Sequence, residues 1–73
     1  MALRYIGKDP GSHVGDSPTV WLDEDDGSFV LQGWKITEED TLTQITAKGP
    51  IPEHEAAIRL PARMAPILRD ATR

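Results

Sequence analysis

The chain has 73 residues, no cysteine and a formal net charge of −4. A domain of this size buries only roughly 60% of the surface its unfolded chain exposes, which leaves little room for a deep, enclosed substrate pocket. The missing cysteines exclude a disulfide framework and a thiolate zinc site as staples, and no apolar run approaches the roughly 18 residues of a membrane span. The expectation is one soluble, unexported, cytoplasmic domain over residues 1–73.

In chain order, "MALRYIG" suits a short strand with Leu3 and Tyr5 on one side and Arg4 and Ile6 on the other. The stretch from 7 to 18, "GKDPGSHVGDSP", is rich in glycine and proline and reads as a flexible loop. "TVWLD" and "SFVLQGWKI" then supply β-branched and aromatic residues on either side of "DEDDG", whose glycine suits the φ > 0 position of a hairpin. Two registers are open: a tight turn at Asp26-Gly27 pairs Leu22 with Leu31, and a turn with Gly27 as a bulge pairs Leu22 with Val30. Val20-Trp21-Leu22 and Phe29-Val30-Leu31 are apolar at consecutive positions, as in a central hairpin covered on both sides, or one with a side covered by a partner.

From Thr37 the signals turn helical. Thr37 is placed as an N-cap, Glu38, Glu39 and Asp40 put negative charge on the helix N-terminus, and Lys48, Gly49 and Pro50 mark its end. "EHEAAIRLP" alternates Ala56, Ile58 and Leu60 against Glu55, Ala57 and Arg59, the pattern of a half-buried strand. Met64, Ile67, Leu68 and Ala71 fall on one face of a C-terminal helix that begins in earnest near Ala65, because Pro66 does not suit a helix interior. The fold class expected is α+β: a small antiparallel sheet of three to four strands built on the central hairpin, with two short helices.

Charge is unevenly spread. Asp16, Asp23, Glu24, Asp25, Asp26, Glu38, Glu39 and Asp40 face only Lys35 in the centre of the chain, whereas Arg59, Arg63, Arg69 and Arg73 stand near its end against Asp70. The acidic balance disfavours a nucleic-acid binder, since phosphate neutralisation supplies most non-specific affinity.

Catalytic and metal motifs fail on register. With Gly27 at the sixth position of a calcium loop, Leu22 and Gly33 occupy the first and twelfth, where carboxylates belong. "HEAAI" from His54 to Ile58 opens like a zinc-protease helix but ends in isoleucine, and "GKDPG" lacks the lysine-serine end of a phosphate loop. Ser17 with His13 or His54 as base, and any of the many acids as orienter, would need a scaffold that so short a chain hardly provides. No cofactor or metal is expected. Trp21 and Trp34 read as core anchors, with at least one partly exposed as an interface anchor.

"SPTVWLDEDDGSFVLQGWKIT" followed by "IPEHEAAIRLP" resembles a group of small actinobacterial proteins of unassigned function that share a Pro-Thr strand, an acidic turn, a V-Q-G-W-K strand and a Pro-x-His-Glu segment. The pattern often carries Cys where this chain has Ser17, which argues against a thiol-dependent role there. Such proteins resemble accessory partners of XRE-type helix-turn-helix regulators in size and gene setting. The resemblance implies a regulatory or protein-binding role, and the function expected is a non-enzymatic interaction module, accessory to a transcriptional regulator, with another protein as partner; a homodimer is also expected as a state, because small unstapled cores gain stability by association. Its expected surface is Trp21, Asp23, Glu24, Asp25, Asp26 and Trp34. The alternatives left open are nucleic-acid binding through Arg59, Arg63, Arg69 and Arg73, and small-ligand binding through His13, Asp16, Ser17 or His54.

Overall fold

The structure is a computed structural model that describes residues 2–11 and 17–73. Strands β1 (Leu3–Lys8), β2 (Thr19–Asp23) and β3 (Phe29–Gln32) form an antiparallel sheet in the order β1-β2-β3. A two-residue ribbon, β4 (Trp34–Lys35) with β5 (Ile58–Arg59), brackets helix α1 (Glu39–Thr46) in sequence. A 3₁₀ turn at Ala62–Met64 leads into helix α2 (Ala65–Ala71). The fold is α+β, but the hairpin lies at one side of its sheet: β2 is the central strand, and β3 is an outer strand exposed at every residue. The described residues thus do not cover the hairpin on both sides.

The acidic turn sets a register that neither expectation anticipates. Leu22 pairs with Phe29 and Trp21 with Val30, because all of Glu24, Asp25, Asp26 and Gly27 lie in the loop. The Asp23 N–H donates to the Ser28 carbonyl at 2.8 Å, and the Gly27 N–H to the Asp23 carbonyl at 2.8 Å. The aspartates lengthen the turn by offering side-chain acceptors to its backbone: Asp23 Oδ1 accepts from the Asp25 N–H and Asp26 Oδ1 from the Ser28 N–H, both at 2.9 Å. Gly27 closes the loop at φ 77°, a region that disfavours side chains.

Residues opposed across antiparallel strands share a face, so the registers sort the sheet into two sides. Val20 is fully buried with Met64 and Ala71, and Ile6, Leu60, Ile67 and Leu68 pack around them. This is the α2 side, where Ile67 lies against Gly7 and where Met64, Ile67, Leu68 and Ala71 present the expected helical face. A register shift between Tyr5 and Gly7 interrupts β1 next to Ile6. The opposite side carries Tyr5, Trp21 and Val30 in one row. Neither tryptophan is a buried core anchor: Trp21 is half-buried and Trp34 is exposed.

Several boundaries differ from the sequence expectations. β1 continues through Gly7 and Lys8 into the stretch read as loop, and residues 12–16 of that stretch lie outside the described residues. Thr37 does not cap α1; its N–H donates to the Glu38 carboxylate at 3.1 Å, and Glu38, with extended backbone, is the residue that precedes the helix. Gly49 does not adopt a left-handed conformation, since Gly27 is the only glycine with positive φ among the described residues; its N–H instead closes on the Thr46 carbonyl at 3.2 Å. The strand expected from Glu55 to Leu60 shrinks to Ile58–Arg59. At Gly33 the chain leaves the large sheet: a Cβ there would stand 2.8 Å from the Arg59 carbonyl, so only glycine lets the two segments approach this closely.

The strongest tie between the ends of the chain is ionic. The Asp9 side chain is 0% exposed, accepts the Gly11 N–H at 3.0 Å, and is gripped by both arms of the Arg63 guanidinium, Nη2 reaching Oδ2 at 2.6 Å. The Asp9 N–H donates to the Pro18 carbonyl at 2.9 Å, which brings the two ends of the intervening segment together. The hydrogen bond to Asp9 raises the Arg63 guanidinium above its ordinary pKa, so Arg63 stays protonated in the pair. Removing Arg63 takes the guanidinium away from a fully buried carboxylate, which costs far more than loss of an exposed cation. Arg63→Ala is expected to lower the melting temperature by roughly 10 °C or more, whereas Arg69→Ala changes it by about 2 °C or less. Equal melting temperatures for the two variants, followed by tryptophan fluorescence, would contradict this role.

Candidate interaction surface

The row Tyr5, Trp21 and Val30 spans all three strands on the side away from α2, and Leu3 extends it one step along β1 opposite Asp23. Aromatic and β-branched residues directly opposed in this way pack on one another, which stabilises the sheet but leaves their outer surfaces wet. Tyr5 is 59% exposed, Leu3 42% and Val30 36%. On the other side of the same outer strand, beyond the reach of the short α2, Phe29 is 51% and Leu31 41% exposed. β3 is therefore apolar on both faces, and the described residues cover neither. Contiguous exposed apolar groups of this kind are uncommon on monomers and mark interaction sites.

The acidic turn borders this surface, since Asp23 sits on the same face as Trp21 and Leu3. Part of its charge is structural. Asp23 and Asp26 hold the turn, and Glu24 pairs with Arg4 at 3.5 Å across exposed surface. The Ser28 side chain, then its N–H, hold the Asp26 carboxyl below its usual value. Glu38 is likewise lowered, first by its own N–H and then by that of Thr37, with a smaller effect of Arg59.

The structure keeps Trp21 beside the acidic turn on one sheet, and puts Trp34 on β4 of the small ribbon, opposite Arg59. The two tryptophans do not join one row. The arginines disperse as well: Arg59 lies near Glu38, Arg63 is bound to Asp9, and Arg73 stands 3.9 Å from Asp70 at the exposed end of α2, which also carries Arg69. His54 is exposed, with Nε2 3.7 Å from the Glu55 carboxylate. Ser17 uses its carbonyl to accept the Thr19 hydroxyl at 2.8 Å, whereas His13 and Asp16 lie outside the described residues. Among the described residues no three His, Asp or Glu side chains gather as metal ligands would, and no helix is long and apolar enough to cross a membrane.

An open cleft of about 340 Å³ lies between α1 and the segment from 51 to 57, lined by Ile36, Leu42, Ile51, Ala56 and Ala57 with Lys35 and Glu55 among its walls. It offers apolar contact and two opposite charges, but no nucleophile held by a base. Sequence reasoning missed the roles of Tyr5, Leu3, Phe29 and Leu31. For Phe29 and Leu31 the signal was present in the consecutive apolar residues of β3, which suit a hairpin covered on both sides or one with a side covered by a partner.

Comparison with protein-family models, with curated proteins and with solved structures finds no match.

The Asp26 shift gives the turn a pH signature. Because the folded carboxyl is more acidic than the unfolded one, its stabilising effect is present above the unfolded pKa and is lost as pH falls through the folded pKa. Titration of the side-chain carboxyl carbons by NMR is expected to place Asp26 below ordinary aspartate, with Ser28→Ala moving it back up. An Asp26 midpoint unaffected by Ser28→Ala would contradict the hydrogen-bonded turn.

Proposed function

We propose that this chain is a non-enzymatic protein-interaction module whose partner docks on the sheet face carrying Leu3, Tyr5, Trp21 and Val30. The observation that carries this reading is the exposed row across all three strands, which neither α2 nor the rest of the described chain covers. Aromatic residues lose little conformational entropy on binding and dominate interface energetics, so Tyr5 and Trp21 are its anchors. The acidic turn at the rim favours a basic partner, because complementary potentials speed encounter and fix orientation.

A DNA-binding regulator offers such a surface. With the resemblance to accessory proteins of helix-turn-helix regulators, this makes a regulator of that class the partner of choice and the chain a modulator in the cytoplasm. Direct nucleic-acid binding has less support. Arg63 is committed to Asp9, Arg59 lies beside Glu38, and Arg73 is near Asp70, so the basic residues form no continuous track for a phosphate backbone.

Affinity capture from the native host tests the reading. Wild-type protein is expected to retain a helix-turn-helix regulator, Tyr5→Ser to lose it at least tenfold, and Glu24→Gln with Asp25→Asn to weaken retention chiefly at low salt. Equal retention by wild type and Tyr5→Ser would remove the sheet face as the docking surface.

A further inference from the structure

We propose that two copies of this chain pair through β3, antiparallel and about a two-fold axis, with Val30 of one copy opposite Val30 of the other. The proposal concerns the strand edge and does not rest on the identity of any other partner.

The backbone of β3 is half used. Because the Asp23 N–H bonds the Ser28 carbonyl, the alternation of an antiparallel ladder turns the Ser28 C=O and the N–H and C=O of Val30 and Gln32 toward β2 and those of Phe29 and Leu31 outward. No backbone hydrogen bond from a described residue meets the outward groups. An open edge of this kind is a template for another strand unless something blunts it. The opposite edge, β1, is blunted by Arg4, Lys8 and the register shift between Tyr5 and Gly7. β3 has no such protection: its residues are Phe29, Val30, Leu31 and Gln32.

Direction follows from charge. A parallel pair would set two acidic turns side by side. An antiparallel pair instead lays the Asp23–Asp26 turn of each copy along the far end of the other copy's strand, where Trp34 and exposed Lys35 follow Gly33, with Arg59 opposite Trp34 on the ribbon. The two-fold brings this attraction twice.

Register follows from the pleat. Opposed residues must share a face, so the axis passes through a residue that faces its own copy. Centred on Val30, the pairing opposes Phe29 to Leu31 twice. These are the residues with outward backbone groups, so each pair exchanges both of its bonds while apolar side chains meet apolar ones. Centred on Leu31, it would oppose Phe29 to Gly33 and Val30 to Gln32, losing the apolar match and engaging the residue where the chain leaves the sheet. The Val30-centred dimer makes one continuous sheet and brings the two Leu3, Tyr5, Trp21 and Val30 faces to the same side.

Edge pairing alone covers a small area, at the low end of specific interfaces, so association is expected to depend on concentration. Sedimentation velocity from roughly 1 µM to 1 mM should show wild-type protein passing from monomer to dimer across this range. Val30→Lys and Val30→Glu place like charges opposite each other and are each expected to weaken the dimer at least tenfold. Mixed in equal amounts they should associate again, because only a Val30-to-Val30 register sets Lys against Glu. Leu31→Pro removes an outward N–H and no intrachain bond, so it should remain folded by circular dichroism and stay monomeric. A wild-type protein that is monomeric throughout would overturn the proposal. So would a dimer that survives in folded Leu31→Pro, or charge variants whose mixing restores nothing.

Discussion

The grip of Arg63 on Asp9 is the constraint on which the arrangement of the sheet and its helix depends. Val20, Met64 and Ala71 form the buried hydrophobic cluster among the described residues, a core too small to position a seven-residue helix by apolar burial alone. The carboxylate is fully buried, and it receives a bidentate guanidinium from the segment leading into α2 as well as the Gly11 N–H. A buried carboxylate must find such partners or the fold cannot tolerate it. The requirement fixes Arg63 against the end of β1, and Met64 beside it then enters the core. The ion pair thus acts less as added stability than as a register pin for the C-terminal helix.

Where α2 is pinned decides what remains open. The helix reaches β1 and β2, covering Gly7 and Val20, but Phe29 and Leu31 on the outer strand stay largely exposed on the same side. The chain then departs at Gly33 for the small ribbon, so α1 builds its own shallow cleft with the segment from 51 to 57 and adds no layer to β3. An outer strand with apolar residues on both faces and a free backbone edge follows from this division. The proposed foreign partner and the proposed second copy both use this surface, through different atoms: side chains of one face for the former, outward backbone groups of Phe29 and Leu31 for the latter.

The α+β class, the strand at Leu3, the hairpin with its turn glycine and the helix starting near Ala65 were legible because each rests on local chemistry: alternation, a residue suited to positive φ, and a proline barred from a helix interior. The register was not. It depended on Asp23 and Asp26 each capping a backbone N–H, a competition among neighbouring acceptors that composition does not resolve. Thr37 lost its capping role for a similar reason, since the Glu38 carboxylate takes the Thr37 N–H. Asp9 and Arg63 are 54 positions apart, and no periodicity links them; each reads as an ordinary polar residue until the fold brings them together. Of the residues expected to share a surface, Trp21 and Asp23 lie on one sheet face, whereas Trp34 lies on the small ribbon because Gly33 breaks the second arm of the hairpin.

The central claim is that β3 is an uncovered outer strand whose alternate backbone groups face solvent. Amide hydrogen exchange by NMR, in a sample dilute enough to be monomeric, measures this residue by residue. Val30 and Gln32, bonded to β2, should exchange slowly, while Phe29 and Leu31 exchange at close to the rate of an unprotected chain. Comparable protection at all of these amides would mean that another segment covers the edge, and would contradict the account.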